Sequence, residues 1–467
     1  MPFADLREFI AVLEKMGEIV HVKVEVDPQY EMGAICRKVL DAGGVDANKA
    51  LFFERPKGST IPVAAGLLDS RRRYFIATET DRENFYDQFA ARVEKPIAPR
   101  LIKEGPCQEN VLLGDKVNLF HLPIPIWNQL DGGPFITQGT TIVKDPETGQ
   151  RNVGLYRLMV HDRNSTGICA APYRQIVQFA SKVHPQGQPL PVAITIGQDP
   201  AVTVAAIAPF PPYCDEISMA GAIRREPVDM VNCVTIPLEV PATAEIVLEG
   251  EIRPGDTKLE GPFGEFTGYY GERMVRPVIT IKAITHRNDP IYQACYQGRP
   301  PNCDSVTQIL AHEAEVLRRV KPLGLRKLRI CVGSAMFLAV ASVKKEFSGQ
   351  QRAIASAIFG TPSGKWIKTI ILLDDDLDPD NWTDVEWALG TRFRPSEDVM
   401  ILEGMPGNAL DPSLPPEERD SLACRTPKLV LDATKPVHRP YSRECQPKRE
   451  AWEKVEANWE SYGISLE

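Results

Sequence analysis

Between residue 117 and about residue 300 the chain is written in short β-rich runs cut by Gly, Pro and Asp, and this punctuation limits the fold more than any other feature. The runs fall at 135–143, 155–160, 192–196, 244–248 and 278–284. They argue for a β-barrel or sandwich rather than a doubly wound sheet. Helical periods interrupt them at 174–183 and 216–223. The flanks read differently. Leu6, Phe9, Ile10 and Leu13 recur at helical spacing and stop at Gly17, residues 19–26 alternate as a strand, and 31–42 is helical again before Gly43 and Gly44. Short strands follow at 50–53 and 61–65, which makes residues 1–115 an N-terminal α/β domain and 116–304 the barrel domain. Val306, Ile309, Leu310, Ala314 and Leu317 mark a connecting helix over 305–322. Strands at 329–332, 338–343 and 369–373, with helices at 351–359 and 382–389, give a C-terminal α/β domain over 323–467. Its Pro-, Glu- and Arg-rich end after Asp411 is expected to wrap a neighbouring subunit. The fold class is mixed α/β.

A chain of 467 residues can bury two or three cores. A net charge of −8 argues against a large nucleic-acid interface, and the basic run at 321–329 reads as a solvated edge. No apolar stretch reaches the length of a membrane span, and the charged N-terminus has no apolar signal core, so a cytoplasmic protein is expected. The ten cysteines contain no C-x-x-C pair and are expected as free buried thiols. Residues 374–381 are acidic enough to suggest a calcium loop. Counted from Asp376, however, the sixth position is Asn381 and the twelfth Trp387, so a helix-entry loop is the better reading.

Two stretches carry chemistry. Residues 150–157, Gln-Arg-Asn-Val-Gly-Leu-Tyr-Arg, follow a turn at 145–149 and read as a hairpin between 140–143 and 155–160. Asn152 offers an oxygen suited to a hard cation. Arg157, five residues on, would face the other way on a regular strand unless a bulge or turn intervenes. An ordinary hairpin with a turn Asn and a surface Arg fits these eight residues as well. Residues 260–265, Glu-Gly-Pro-Phe-Gly-Glu, set two carboxylates around a turn that is neither regular helix nor strand. One acid could stay ionised against an arginine while the other donates a proton.

Taken together, Asp5-Leu6-Arg7-Glu8-Phe9, Asp131-Gly132-Gly133, the 152–157 segment, Asp215-Glu216-Ile217-Ser218-Met219-Ala220-Gly221, 244–250, 260–270 and Leu431-Asp432-Ala433-Thr434 resemble the UbiD family of prenylated-flavin-dependent decarboxylases, nearly end to end. The resemblance is closest to bacterial phenolic and hydroxyaryl acid decarboxylase large subunits. It implies a split β-barrel carrying prenylated FMN, and a reversible, non-oxidative decarboxylation through a covalent substrate–flavin adduct. The catalytic set it implies is Arg157, Glu260 and Glu265: Glu260 holds Arg157, Arg157 docks the carboxylate, and Glu265 returns the proton. Val153, Leu155, Tyr156, Ala171 and Arg174 would contact the cofactor. Asn152 and Glu216 would hold Mn2+ on the flavin phosphate, with K+ nearby. The histidine usual about 22 residues after the asparagine is missing, and Arg174 is its expected replacement. His161 and His184 are read as surface or structural.

The same resemblance places Arg299, Asn302 and Phe337 near the substrate. A catechol-reading histidine is absent before Leu431, and the segment at 333–337 is small and apolar, which favours a less hydroxylated aromatic or heteroaromatic acid. A flavin prenyltransferase as cofactor supplier and a homodimer or homohexamer are implied. The rival readings are a polyprenyl-hydroxybenzoate decarboxylase of quinone biosynthesis, a plain FMN reductase, and a non-catalytic flavin-binding subunit.

Overall fold

The computed structural model describes residues 2–419 and 422–465. The chain opens with a helix, Leu6–Lys15, capped by Asp5, whose side chain accepts the Glu8 N–H; Gly17, at φ +66°, turns the chain out of it. Leu6, Phe9, Ile10 and Leu13 are the buried face, as their spacing requires. Strands Ile19–Val26, Ala50–Pro56 and Val63–Ala65 form a four-stranded sheet whose last member is Tyr292–Ala294, so the N-terminal sheet is completed by a strand some 200 residues downstream in the barrel region.

The centre is an antiparallel nine-stranded sheet. Its order is Phe135–Ile136, Leu158–Asp162, Ser165–Gly167, Met274–His286, Ile246–Glu260, Leu190–Ile196, Thr140–Lys144, Arg151–Leu155, with Asn110–Leu113 paired separately to Met274–His286. Chain connectivity forces this sheet to curl. Leu158–Asp162 and Arg151–Leu155 lie six strand spacings apart, about 29 Å if the sheet were flat. Only Tyr156 and Arg157 join them, and three Cα steps reach at most about 11 Å. The sheet therefore bends into a half-barrel whose two ends meet at Tyr156–Arg157. The hairpin foreseen at 140–160 is thus real but shorter: its second arm is Arg151–Leu155, and the run at 155–160 is divided between that last strand and the second strand of the sheet order.

The connecting helix runs Cys303–Val320. Asn302 caps it, and its side chain and that of Ser305 form a reciprocal capping box. The C-terminal sheet has the order Leu325–Ile330, Leu338–Val343, Thr369–Asp374, Arg425–Ala433, Val399–Pro406. The segment after Asp411 is accordingly not all tail, because Arg425–Ala433 is an interior strand, paired on both sides. The acidic loop at 374–381 enters a helix: Asn381 caps Trp382–Thr391, and Asp374 and Asp376 pair with Arg392. None of the ten cysteines forms a disulfide; six are buried as expected, but Cys169, Cys214 and Cys233 are half-buried and Cys445 is exposed. Among the described residues no helix is long and apolar enough to cross a membrane.

Candidate active site

Arg157 stands in the two-residue link that closes the curl, so its position is fixed from both ends of the sheet. Its Nε donates to Glu260 Oε1 at 3.1 Å and its Nη2 to Glu260 Oε2 at 3.0 Å, a two-pronged grip. Nη1 closes on Glu265 Oε1, and the guanidinium carbon lies 5.3 Å from the centre of the Phe263 ring. Glu260 is fully buried and Glu265 nearly so. Burial pulls the Arg157 pKa down, but Cys169 and Glu260 more than offset it, so the guanidinium is held above its usual range.

The two acids share one loop, and the loop is pinned. Glu260 ends the long strand Ile246–Glu260, Gly261 takes φ +91°, and Phe263–Gly264 pairs with Tyr270–Gly271. Asp131 Oδ1 accepts the Gly264 N–H at 2.8 Å, while its Oδ2 accepts those of Trp127 and Asn128. Gly132 N–H donates to Pro262 O at 2.9 Å. A Cβ on Gly132 would sit 2.2 Å from Gly261 O, so only glycine fits that approach. The Asp131-Gly132 motif is therefore the clamp that sets the distance between Glu260 and Glu265.

Arg157 and Glu265 line a cavity of about 490 Å³, a size ordinary for a cofactor or small-molecule site. Leu155, Tyr156, Ala171 and Arg174 line it from the barrel; Lys365, Trp366 and the 406–410 segment close it from the C-terminal domain. At its mouth Arg174 and Lys365 flank Tyr173, with Lys365 Nζ 4.7 Å from the ring centre. Neither cation has a carboxylate partner among the described residues. Burial, then repulsion from Arg174, brings the Lys365 pKa down to about 8.

Beside it lies a second polar cluster. Asn152 Nδ2 donates to Gln175 Oε1 at 2.8 Å and to Glu216 Oε1 at 3.1 Å, and the Val153 N–H donates to Glu216 Oε2 at 2.8 Å. Glu216 opens the helix Glu216–Arg224, and Gln175 opens Gln175–Val183. Burial pushes the Glu216 carboxyl up to about 7 against the Val153 hydrogen bond. The Gln175 Nε2 is buried without a partner. A carboxylate and two carboxamides are hard oxygen donors of the kind a divalent cation takes. Among the described residues no group of three or more His, Cys, Asp or Glu is placed to hold a metal. The residue types present are thus of the kind that could hold a metal beside the Arg174–Lys365 pair.

Three domain descriptions match the chain: the 3-octaprenyl-4-hydroxybenzoate carboxy-lyase N-terminal domain over residues 10–93, its Rift-related domain over 100–300, and its C-terminal domain over 306–433. The chain belongs to the UbiD family. An uncharacterized protein of Archaeoglobus fulgidus is 35% identical, over 98% of each chain. The UbiD-class enzyme HmfF of Pelotomaculum thermopropionicum, solved with FMN, superposes with a TM-score of 0.87 at 34% identity, covering 96% of this chain and 98% of that one. The vanillic acid decarboxylase of Sedimentibacter hydroxybenzoicus superposes with a TM-score of 0.87 at 32% identity, over 99% and 100%.

Within this UbiD-family frame several sequence expectations need correction. The residue that meets Asn152 is Gln175, not Arg174; the two are adjacent, but Arg174 lies at the helix cap and leans over Tyr173. Val153 contributes its N–H to Glu216 and does not line the cavity. Nor do Arg299, Asn302 or Phe337. The Asn302 amide is spent on Phe266 O, Gly298 O and the capping of Ser305. Arg299 is exposed, and Phe337 packs under Lys368. The apolar segment at 333–337 lies in a turn away from the cavity, so it says nothing about the substrate. His184 bonds Ile252 O, and His161 sits behind Glu260 beside Gly167; neither joins the Asn152 cluster. Residues that sequence reasoning did not single out, Gln175, Lys365, Asp304 and Trp366, stand at or beside the site. Only Gln175, in the region where a third ligand was sought, left a signal in the sequence.

Proposed function

We propose that this protein is a decarboxylase of aromatic or heteroaromatic carboxylic acids working with prenylated FMN, and that Arg157 clamped between Glu260 and Glu265 on the cavity wall is the observation that carries the reading. A guanidinium has five N–H donors. Glu260 takes one from Nε and one from Nη2 and Glu265 lies against Nη1, which leaves one hydrogen on each Nη as a fork for a substrate carboxylate. Glu260, wholly buried, holds that fork in orientation. Glu265 stands at the cavity wall against the same guanidinium, and it delivers the proton to the ring carbon once carbon dioxide has left. When bound, the prenylated flavin supplies the electron sink that no side chain of this chain provides. Asn152, Gln175 and Glu216 would hold Mn2+, with K+ nearby, and Arg174 and Lys365 would neutralise the flavin phosphate. Phe263, Phe266 and Trp366 give the ring apolar faces and shed water from the reacting carbon. The reading carries with it a flavin prenyltransferase as cofactor supplier, a homo-oligomer and a cytoplasmic setting.

The test is expression alongside a flavin prenyltransferase, native mass spectrometry for the bound cofactor, and carbon dioxide release from a panel of aryl and heteroaryl acids. Glu265→Gln is expected to keep the flavin and lose turnover. Full activity in Glu265→Gln, or a protein that takes up only unmodified FMN and oxidises a nicotinamide, would refute the assignment.

A further inference from the structure

Lys365 and Trp366 reach the cavity from the short 3-10 turn Pro362–Lys365 and the residue after it. That turn is tied down from three directions. Ser363 Oγ donates to Glu315 Oε2 at 2.7 Å and meets His312 Nδ1 at 2.8 Å, both on the Cys303–Val320 helix. Gly364 is pressed against the end of the Gln350–Phe359 helix, where a Cβ would stand 2.2 Å from Ile358 O, so only glycine fits. The third tie is Lys428. Its Nζ donates to Gly364 O at 3.3 Å, to Lys365 O at 3.1 Å and to Ile367 O at 2.6 Å. An ammonium has three N–H donors, so each is used. Lys428 is buried, and no carboxylate pairs with it among the described residues. Burial brings its pKa down to about 8 while Asp411 opposes the fall, so the group keeps its charge at neutral pH. Nor can Lys428 shift easily: it stands opposite Leu402 on the interior strand Arg425–Ala433, next to Leu429, which pairs with Thr369. A buried ammonium is costly unless its partners need it. Here the partners are the carbonyls of the one segment that carries a cation to the Arg174 corner.

We propose that Lys428 is a positioning residue for cofactor binding: its ammonium gathers the carbonyls of Gly364, Lys365 and Ile367 and so fixes the Lys365 side chain beside Arg174, where the two cations take a flavin phosphate. The proposal rests on the reading that Arg174 and Lys365 neutralise that phosphate. An apolar residue at 428 leaves three carbonyls without their donor. The turn then seeks other donors, and Lys365 leaves its corner. The loss falls on the phosphate. Riboflavin, which has the ring and ribityl chain but no phosphate, does not feel it.

The experiment titrates the full-length apoprotein at neutral pH, with Mn2+ held constant, against FMN and against riboflavin, and follows flavin fluorescence. The readout is the preference for FMN, the ratio of the two dissociation constants. Lys365→Ala is expected to lower that preference by about tenfold or more, the worth of a hydrogen bond between charged groups. Lys428→Met should lower it by about fivefold or more, with riboflavin binding changed by less than about twofold. Lys428→Arg, which keeps the charge and the donors, should hold the preference within about threefold of the parent. The double variant Lys365→Ala/Lys428→Met should bind FMN within about twofold of Lys365→Ala alone, because both substitutions act on one contact. Lys428→Gln, which keeps two donors, carries the same test if Lys428→Met yields no folded protein. An unchanged preference in the folded Lys428 variant, equal weakening of FMN and riboflavin, or losses that add in full across the two sites would overturn the proposal. A preference that falls in Lys365→Ala but not in Lys428→Met refutes the proposal alone. A preference that Lys365→Ala leaves unchanged refutes the phosphate reading of Lys365, and the proposal with it.

Discussion

Gly271→Ala separates geometry from stability at this site. Gly271 lies in the short strand that pairs with Phe263–Gly264, and its φ is not in the left-handed region, so alanine suits the backbone. The new Cβ would stand 2.9 Å from Glu265 Oε1 and 3.3 Å from Arg157 Nη1, where ordinary contact begins at 3.4 Å. The Glu265 carboxyl must therefore retreat by about 0.5 Å, and as the end of a flexible side chain it can do so cheaply. Replacing glycine also lowers the entropy of the unfolded chain, worth about 0.4–1 kcal/mol in favour of folding. The two effects oppose each other, so the denaturation midpoint should move by less than about 1 kcal/mol. Turnover should respond far more. A proton donor displaced by a fraction of an ångström from its target is expected to cost about tenfold in kcat, with KM changed by less than about threefold. The assay is carbon dioxide release by flavin-loaded enzyme, beside a urea titration and a flavin spectrum. A variant that keeps kcat within twofold of the parent while loading flavin normally would show that the Glu265–Arg157 spacing does not set the rate.

Two further outcomes follow from the geometry. Gln175→Ala removes one of the three side chains proposed to hold Mn2+, so under that proposal the Mn2+ retained after dialysis, read by elemental analysis, should fall by about tenfold or more with the fold intact; unchanged retention would take Gln175 out of the cation site. Glu313 is fully buried against the Tyr86 hydroxyl and the Ile330 N–H, and burial raises its pKa from 4.5 to about 7. The folded state then binds the proton more tightly than the unfolded one, so stability contributed by this group is present below about pH 4.5 and is lost as pH rises through about 7. Glu313→Gln should flatten that decline and be more stable than the parent at pH 8, by about 2–3 kcal/mol; parallel stability profiles for the two proteins would refute it.

The elements that sequence reading located well are those with a clean period or cap. Residues 19–26 and 338–343 match their strands, and the 31–42 helix ends one residue later, at Gly43. What it missed has physical causes. Pro200–Ile207 is buried on nearly every side, so it shows no polar face to betray a helix. Arg425–Ala433 hides behind Pro427 and Lys428. Pro427 falls at the irregular part of the ladder with Val399–Pro406 and before pairing with Thr369–Asp374 begins, so its missing N–H costs nothing. Lys428 is buried because its ammonium meets the carbonyls of Gly364, Lys365 and Ile367. The Arg157–Glu260–Glu265 set was visible as residue types at a spacing. The route that brings them together was not, since it depends on two ends of one sheet meeting. Asp304 left no local signal at all: it is one acid in a helical first turn, and only the cavity gives it meaning.

The two-residue link at Tyr156–Arg157 bears on how a site of this kind can change. Lengthening the link would loosen the closure of the sheet and move the guanidinium in the same stroke, so that segment has no freedom to drift. The opposite wall is under no such constraint. Asp304, Lys365, Trp366 and the 406–410 segment come from a helix end and from loops of a separate sheet. Altering them leaves the barrel's circumference untouched. New substrates would therefore be expected to arise by exchange on the C-terminal side, while the arginine and its two acids are inherited as a single piece of the barrel.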